Sequence, residues 1–121
     1  MRQRNKIVLC VDDEDVGLRV RKAVLERAGY RVLAASDGVA ALTIFERERV
    51  DAVVLDYSMP GMLGGEVARR MREIKPEVPI LLLSAYIEIP ADVTSLVDLG
   101  MTKGEGVPTL LRKLETLLSS A

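Results

Sequence analysis

The sequence predicts an α/β domain: a parallel β-sheet with helices packed on both faces. Two observations carry that prediction. First, residues 7–11, 53–55 and 80–83 are short apolar runs, and a weaker one lies near Leu99. Parallel strands covered on both faces read as unbroken apolar runs rather than alternating ones. Second, the stretches between them place apolar residues at helical spacing, so strand and helix signals alternate along the chain.

The elements follow in order. After the first strand, Val16, Val20, Ala23, Val24 and Ala28 recur at helical spacing and are expected to face inward, with Gly29 ending the helix. Arg31–Ala35 is a second strand. Ser36 or Asp37 caps a second helix whose inward residues are Ala41, Leu42 and Phe45. Residues 51–55 form the third strand, and Met59-Pro60-Gly61 marks a turn after it. A third helix over about 64–74 presents Val67, Ala68, Met71 and Ile74, and Lys75-Pro76 ends it. Residues 79–83 form the fourth strand. Pro90 opens a short helix running to about Val97, and Leu99–Thr102 is a fifth strand weakened by Gly100. The last helix starts near Pro108 and carries Leu110, Leu111, Leu114, Leu117 and Leu118. No repeat or interdomain linker interrupts residues 1–121, which read as a single domain.

Composition narrows the chemistry. A net charge of -1 gives no global attraction to nucleic acid or to an anionic membrane. No apolar run approaches the ~20 residues of a membrane span. One cysteine, Cys10, excludes an intrachain disulfide and fits a reducing cytoplasm. The chain has no histidine. Ser-His-Asp and Cys-His catalysis and the usual zinc sites are therefore absent. Carboxylate, hydroxyl and ammonium groups remain, and hard oxygen ligands suit magnesium or a similar ion.

Each apolar run leads to such a group: Asp12 and Asp13 after the first, Asp56 after the third strand, Ser84 after the fourth, Lys103 near the fifth. Ligands in open α/β sheets bind beyond the carboxyl ends of the strands, so these groups are expected at one edge. Together they suit a divalent metal and a phosphoryl group. Singly, each has a plainer explanation. Asp56 could cap the turn before Pro60, Asp12 and Asp13 could cap the first helix, Ser84 could satisfy buried backbone, and Lys103 could be solvated. The basic clusters at 19–22 and 69–75 read as solvated helix faces.

The joint pattern is more specific than its parts. VLCVDDED (8–15), VVLDYSMPGMLGG (53–65), LLLSA (81–85) and TKGEG (102–106) together resemble the response-regulator receiver domains of two-component signalling. The resemblance covers essentially the whole chain. It implies a doubly wound, flavodoxin-like (βα)5 fold with strand order 2-1-3-4-5. It implies that Asp56 accepts a phosphoryl group from a histidine kinase or phosphotransfer protein and that Ser84 and Lys103 contact that group. It further implies that Mg2+ is held by Asp13 and Asp56, by Asp12 mainly through water, and by the backbone carbonyl of Ser58. A domain of this kind is a cytoplasmic switch rather than an enzyme acting on other molecules, and the sequence does not specify its output, whether a separate protein or a further domain.

The departures from the family pattern are informative. Gly100 stands where an aromatic switch residue is common, three positions before the lysine, and Gly104 stands where a proline usually follows it. The cis peptide often found there is thus in question. Ser84 and Lys103 are 19 positions apart, about three fewer than the resemblance implies, so the fourth helix is expected to be short or irregular. By resemblance Tyr86 flanks the hydrolytic water and is expected to slow dephosphorylation. Two alternatives stand beside the switch: a pseudo-receiver that binds partners without phosphorylation, and an aspartyl-nucleophile phosphatase. The phosphatase would need a second aspartate where Ser58 stands.

Overall fold

The computed structural model describes residues 5–85 and 88–119. Five strands, β1 (Ile7–Val11), β2 (Arg31–Ala35), β3 (Ala52–Asp56), β4 (Ile80–Ser84) and β5 (Leu99–Thr102), form one parallel sheet in the order β2-β1-β3-β4-β5. They alternate with α1 (Asp15–Arg27), α2 (Gly38–Arg47), α3 (Gly64–Ile74), α4 (Ala91–Thr94) and α5 (Val107–Ser119). The predicted fold class and strand order are those observed. The expected short fourth helix is a single turn of four residues. Among the described residues no helix is long and apolar enough to cross a membrane.

Side chains alternate across a strand, so each strand feeds two cores. Leu9, Val11, Val53, Leu55, Ile80 and Leu82 pack with Ala41 and Phe45 of α2 and Val67, Ala68 and Met71 of α3. Val8, Cys10, Ala52, Val54, Leu81 and Leu83 pack with Leu18 and Leu25 of α1 and Leu110, Leu114 and Leu118 of α5. This parity reaches the strand ends. Asp12 and Asp56 continue the second set, towards α1 and α5, whereas Ser84 continues the first. Cys10 is a packing residue of the second core, its thiol pushed up to about 12 by burial.

The helix ends follow local chemistry. Asp37 caps α2, its carboxylate accepting from the Ala40 amide at 2.8 Å. Gly29, at φ 105°, turns the chain out of α1 in a conformation that glycine tolerates best. Gly64 meets a different demand. A Cβ there would lie 2.6 Å from the carbonyl oxygen of Asp56 and 2.7 Å from Cα of Tyr57, so only glycine lets α3 start against the end of β3.

The expected inward face of α1 is corrected. Leu18 and Leu25 are buried, while Val16 and Val20 are 69% and 54% exposed and Ala23 and Ala28 lie outside. Only Val24 of the expected stripe is even half-buried. The true stripe runs through positions 18, 21 and 25, and an arginine in its middle hides it from a search for apolar spacing. The basic clusters are likewise not simply solvated. Arg72 donates to the carbonyls of Leu96 and Val78 at 2.8 Å each and pairs with Asp98. Asp98 in turn accepts from the Ile80 amide at 2.8 Å, which ties the segment after α4 to the sheet. Lys75 lies 5.2 Å from the Phe45 ring centroid and donates to the Glu48 carbonyl.

The corrected face makes a prediction for urea unfolding. Leu25→Ala is expected to cost about 2–5 kcal/mol, as buried leucine truncations do, and Val20→Ala to stay within about 0.5 kcal/mol of the wild type. Equal costs would return α1 to the valine face.

Candidate functional site

Two strand ends meet at the carboxyl edge of the sheet. Asp12 directly follows β1, Asp56 is the last residue of β3, and the two strands are hydrogen-bonded neighbours. Carboxylate oxygens of Asp12, Asp13 and Asp56 all lie within 4.8 Å of one another. Asp12 and Asp56 are 0% and 1% exposed, and Asp13 is open to solvent. Asp13 alternates in direction with Asp12, which places one carboxylate of the adjacent pair inside and one outside.

Buried carboxylates this close repel and must be neutralised. Lys103 opens the 3-10 turn over Lys103–Glu105 that follows β5. Its Nζ lies 3.1 Å from Asp56 Oδ1, 3.6 Å from Asp12 Oδ2 and 3.6 Å from Glu14 Oε1. The turn is held by a capping box in which Glu105 Oε2 accepts from the Thr102 amide at 2.7 Å. Glu105 was not among the expected site residues, although its spacing from Thr102 is the capping-box signal. The turn forms with Gly104 after the lysine, and no cis peptide bond occurs among the described residues.

A second cation is present that the sequence reading assigned to solvent. Arg21 of α1 is 15% exposed at its side chain, and both Nη1 and Nη2 donate to Asp12 Oδ2, at 2.8 and 2.6 Å. Asp12 Oδ1 accepts from the Glu14 amide at 2.9 Å. Asp12 therefore orders the start of α1, but as an acceptor before the helix rather than as its N-cap, which is Glu14.

Asp56 differs. Among the described residues neither of its buried oxygens accepts a hydrogen bond, the Lys103 contact being an ion pair without hydrogen-bond alignment. Burial raises its carboxyl to about 6, Lys103 opposing the rise and Asp12 adding to it. Lys103 is pulled down by its own burial, but Asp56 and Asp12 outweigh this and leave it above the usual lysine value. A nearly dry carboxylate with open acceptor positions, beside two further carboxylates and an ammonium, fits a hard divalent cation and an incoming group rich in oxygen.

Ser84 ends β4 beside β3, is buried, and pairs in register with Thr102. Ser58 lies exposed in the loop two residues past Asp56, outside the carboxylate cluster. Tyr86 is outside the described residues. Gly100 pairs with Leu82 on the edge strand, and a Cβ there would meet only the Leu82 carbonyl oxygen, at 3.9 Å. Close packing therefore does not demand glycine. A groove of about 750 Å³ opens beside it, lined by Leu82, Ser84, Ile89, Val97 and Met101 among others.

The raised Asp56 sets a pH dependence. In the unfolded chain the carboxyl loses its proton near pH 4, and in the folded metal-free protein near pH 6. Between these values the folded state holds the extra proton, so stability falls as pH rises through this window. Urea unfolding in EDTA is expected to show that fall, and Asp56→Asn to remove it and stabilise the metal-free protein at pH 7 by ~1–3 kcal/mol. A destabilised Asp56→Asn would contradict the raised carboxyl.

Comparison with known proteins agrees with this arrangement. The family model described as the response regulator receiver domain matches residues 8–114. The alkaline phosphatase synthesis transcriptional regulatory protein PhoP of Bacillus subtilis is 44% identical over 84 residues, 69% of this chain and 35% of that protein. Sporulation initiation phosphotransferase F of the same organism is 37% identical over 86 residues, 70% of this chain and 68% of that protein. Against several other curated relatives the chain spans about half their length. Response regulator TrrA of Thermotoga maritima, solved in complex with Mg(2+)-BeF, superimposes with a TM-score of 0.89 at 35% identity, covering 93% of this chain and 99% of that one. TrrA has also been solved in complex with the histidine kinase ThkA. With strand order, acidic cluster and lysine in place, this chain belongs to the response regulator receiver domain family.

Proposed function

We propose that this domain is a phosphorylation switch in which Asp56 is the phosphoacceptor. The observation that carries the reading is the state of Asp56: buried, its two oxygens without a hydrogen-bond partner among the described residues, with the Lys103 ammonium 3.1 Å away. One Asp56 oxygen attacks the phosphorus of a phosphohistidine. The new O–P bond forms as the P–N bond breaks, the electron pair stays on the ring nitrogen, and the imidazole leaves as the neutral ring bearing the proton on its other nitrogen, or takes one from water. The donor lies outside these 121 residues, which contain no histidine. The TrrA–ThkA complex supports a histidine kinase in that role.

The chain's own residues supply position and charge, which is most of what phosphoryl transfer requires. Lys103 pairs with a phosphoryl oxygen as a point charge. Ser84, at the adjacent strand end, donates its hydroxyl to another. Asp13, Asp56 and the Ser58 carbonyl would hold Mg2+, with Asp12 acting through water. When bound, the ion would supply neutralising charge to the transfer. The domain acts on its own aspartate and does not turn over other phosphate esters, since Ser58 occupies the place of the general acid that an aspartyl phosphatase needs.

The test is labelling by acetyl phosphate, read by intact mass. Wild type is expected to gain one phosphoryl group with magnesium and none in EDTA, and Asp56→Asn to gain none. Lys103→Ala is expected to label at least tenfold more slowly, in keeping with the roughly 10²–10³-fold loss on removing one charge-stabilising donor. An unlabelled wild type would leave the pseudo-receiver reading in possession, and an Asp56→Asn that still labels would move the acceptor elsewhere.

A further inference from the structure

We propose that Arg21 is a built-in counter-cation of the acidic cluster, which holds Asp12 in the metal-free state and weakens the binding of Mg2+. The proposal rests on the magnesium reading above. Three observations carry it. The guanidinium places two N–H donors on a single oxygen of Asp12, at 2.8 and 2.6 Å, while the other oxygen is taken by the Glu14 amide. Both sides of the Asp12 carboxylate are thus engaged, whereas Asp56 beside it has no hydrogen-bond partner among the described residues. Arg21 also sits on the inward stripe of α1 between Leu18 and Leu25, where a surface arginine would not be placed.

The third observation is Gly17, one turn earlier on the same helix. A Cβ at Gly17 would lie 3.0 Å from Arg21 Nη2 and 3.7 Å from Asp12 Oδ2. Glycine in a helix interior is unfavourable relative to alanine, and its φ here is not in the left-handed region that would call for it. Its effect is to leave space for the guanidinium to fold back across the helix onto Asp12. Gly17 and Arg21 act as a pair.

The consequence is competition. A divalent cation and a guanidinium are both drawn to Asp12, and arginine does not lose its charge at any accessible pH. A metal entering the cluster gains less from an aspartate already neutralised, and must either displace Arg21 or sit near its charge. Lys103 contributes at longer range, 3.6 Å from the same oxygen. With Arg21 in place the cluster persists without metal, and binding becomes sensitive to how tightly α1 holds its arginine.

The experiment is calorimetric titration of the whole chain with magnesium chloride, with thermal unfolding in EDTA and in excess magnesium. Arg21→Gln is expected to bind magnesium roughly tenfold more tightly, because a unit charge a few ångströms away in a partly buried site is removed. It is also expected to unfold at a lower temperature in EDTA, and to recover more on magnesium addition than wild type does. Arg21→Lys restores the charge and is expected to return affinity towards wild type. Gly17→Ala keeps every charge but crowds the guanidinium, so it is expected to tighten binding by a smaller factor. That variant decides the matter if Arg21→Gln does not fold without metal. Unchanged or weaker magnesium binding in Arg21→Gln and Gly17→Ala, with wild type binding normally, overturns the role of Arg21 alone. No binding by wild type or either variant overturns the magnesium reading with it.

Discussion

The packing of negative charge at the carboxyl edge of the sheet is the constraint on which the rest of the site depends. Parallel strands β1 and β3 are neighbours, and side chains of equal parity leave both on the α1 and α5 side. That topology brings Asp12 and Asp56 together in a place nearly closed to water. Two buried carboxylates with a third within 4.8 Å would not persist without cations. The chain answers from two directions: Lys103 on the turn after β5, and Arg21 from α1. The pairing is unequal. Asp12 is saturated with donors, while Asp56 has a nearby ammonium and no aligned hydrogen bond. The inequality leaves one carboxylate held by donors and the other with open acceptor positions.

The strands were legible because buried parallel strands carry their signal in every residue. β2 and β5 were read to the residue, and β3 and β4 were displaced by one because Asp56 and Ser84, polar but paired in the ladder, were read as lying beyond it. The position of the chemistry followed from the same signal, since a polar residue closing an apolar run is visible without structure. The inward face of α1 was not legible. Val16, Val20 and Val24 offer a convincing helical period, and the competing stripe of Leu18, Arg21 and Leu25 is broken by a charge. A hydrophobic period counts apolar residues. It cannot register an arginine turned inward by an aspartate nine positions earlier in the chain. The same blindness concealed Arg72, whose partners Leu96 and Asp98 are remote in sequence.

The far edge of the sheet follows a different logic. Gly100 and the single-turn α4 border one groove beside the edge strand, which neither a side chain at position 100 nor a longer helix fills among the described residues. A short α4 has few backbone hydrogen bonds of its own to fix it. Its place is set instead by Val93 in the core and by the bonds from Arg72 to the following segment. Ser84 lines the groove and ends the strand next to Asp56, so the site and the altered edge share a residue. A rearrangement at Ser84 has a path to this surface that does not pass through position 100.

These two peculiarities bear on each other through charge. A phosphoryl group on Asp56 adds negative charge next to Asp12 and Lys103, and the cations already present must be shared with it. Lys103 stands 3.1 Å from Asp56 and 3.6 Å from Asp12, on a flexible stem that lets the ammonium follow the larger charge. On the proposed reading, an Arg21 that is not displaced by metal would keep Asp12 neutralised while that happens, because both its donors already meet an acceptor and Gly17 leaves them room. Were Asp12 held by Lys103 alone, movement of the ammonium towards the new group would strip a buried carboxylate of its partner, which costs ~3–5 kcal/mol in comparable pairs. A second, fixed cation removes most of that penalty. On the proposed reading, the domain would then commit Lys103, and the β5 turn that carries it, to the phosphoryl group while Asp12 stays neutralised from α1.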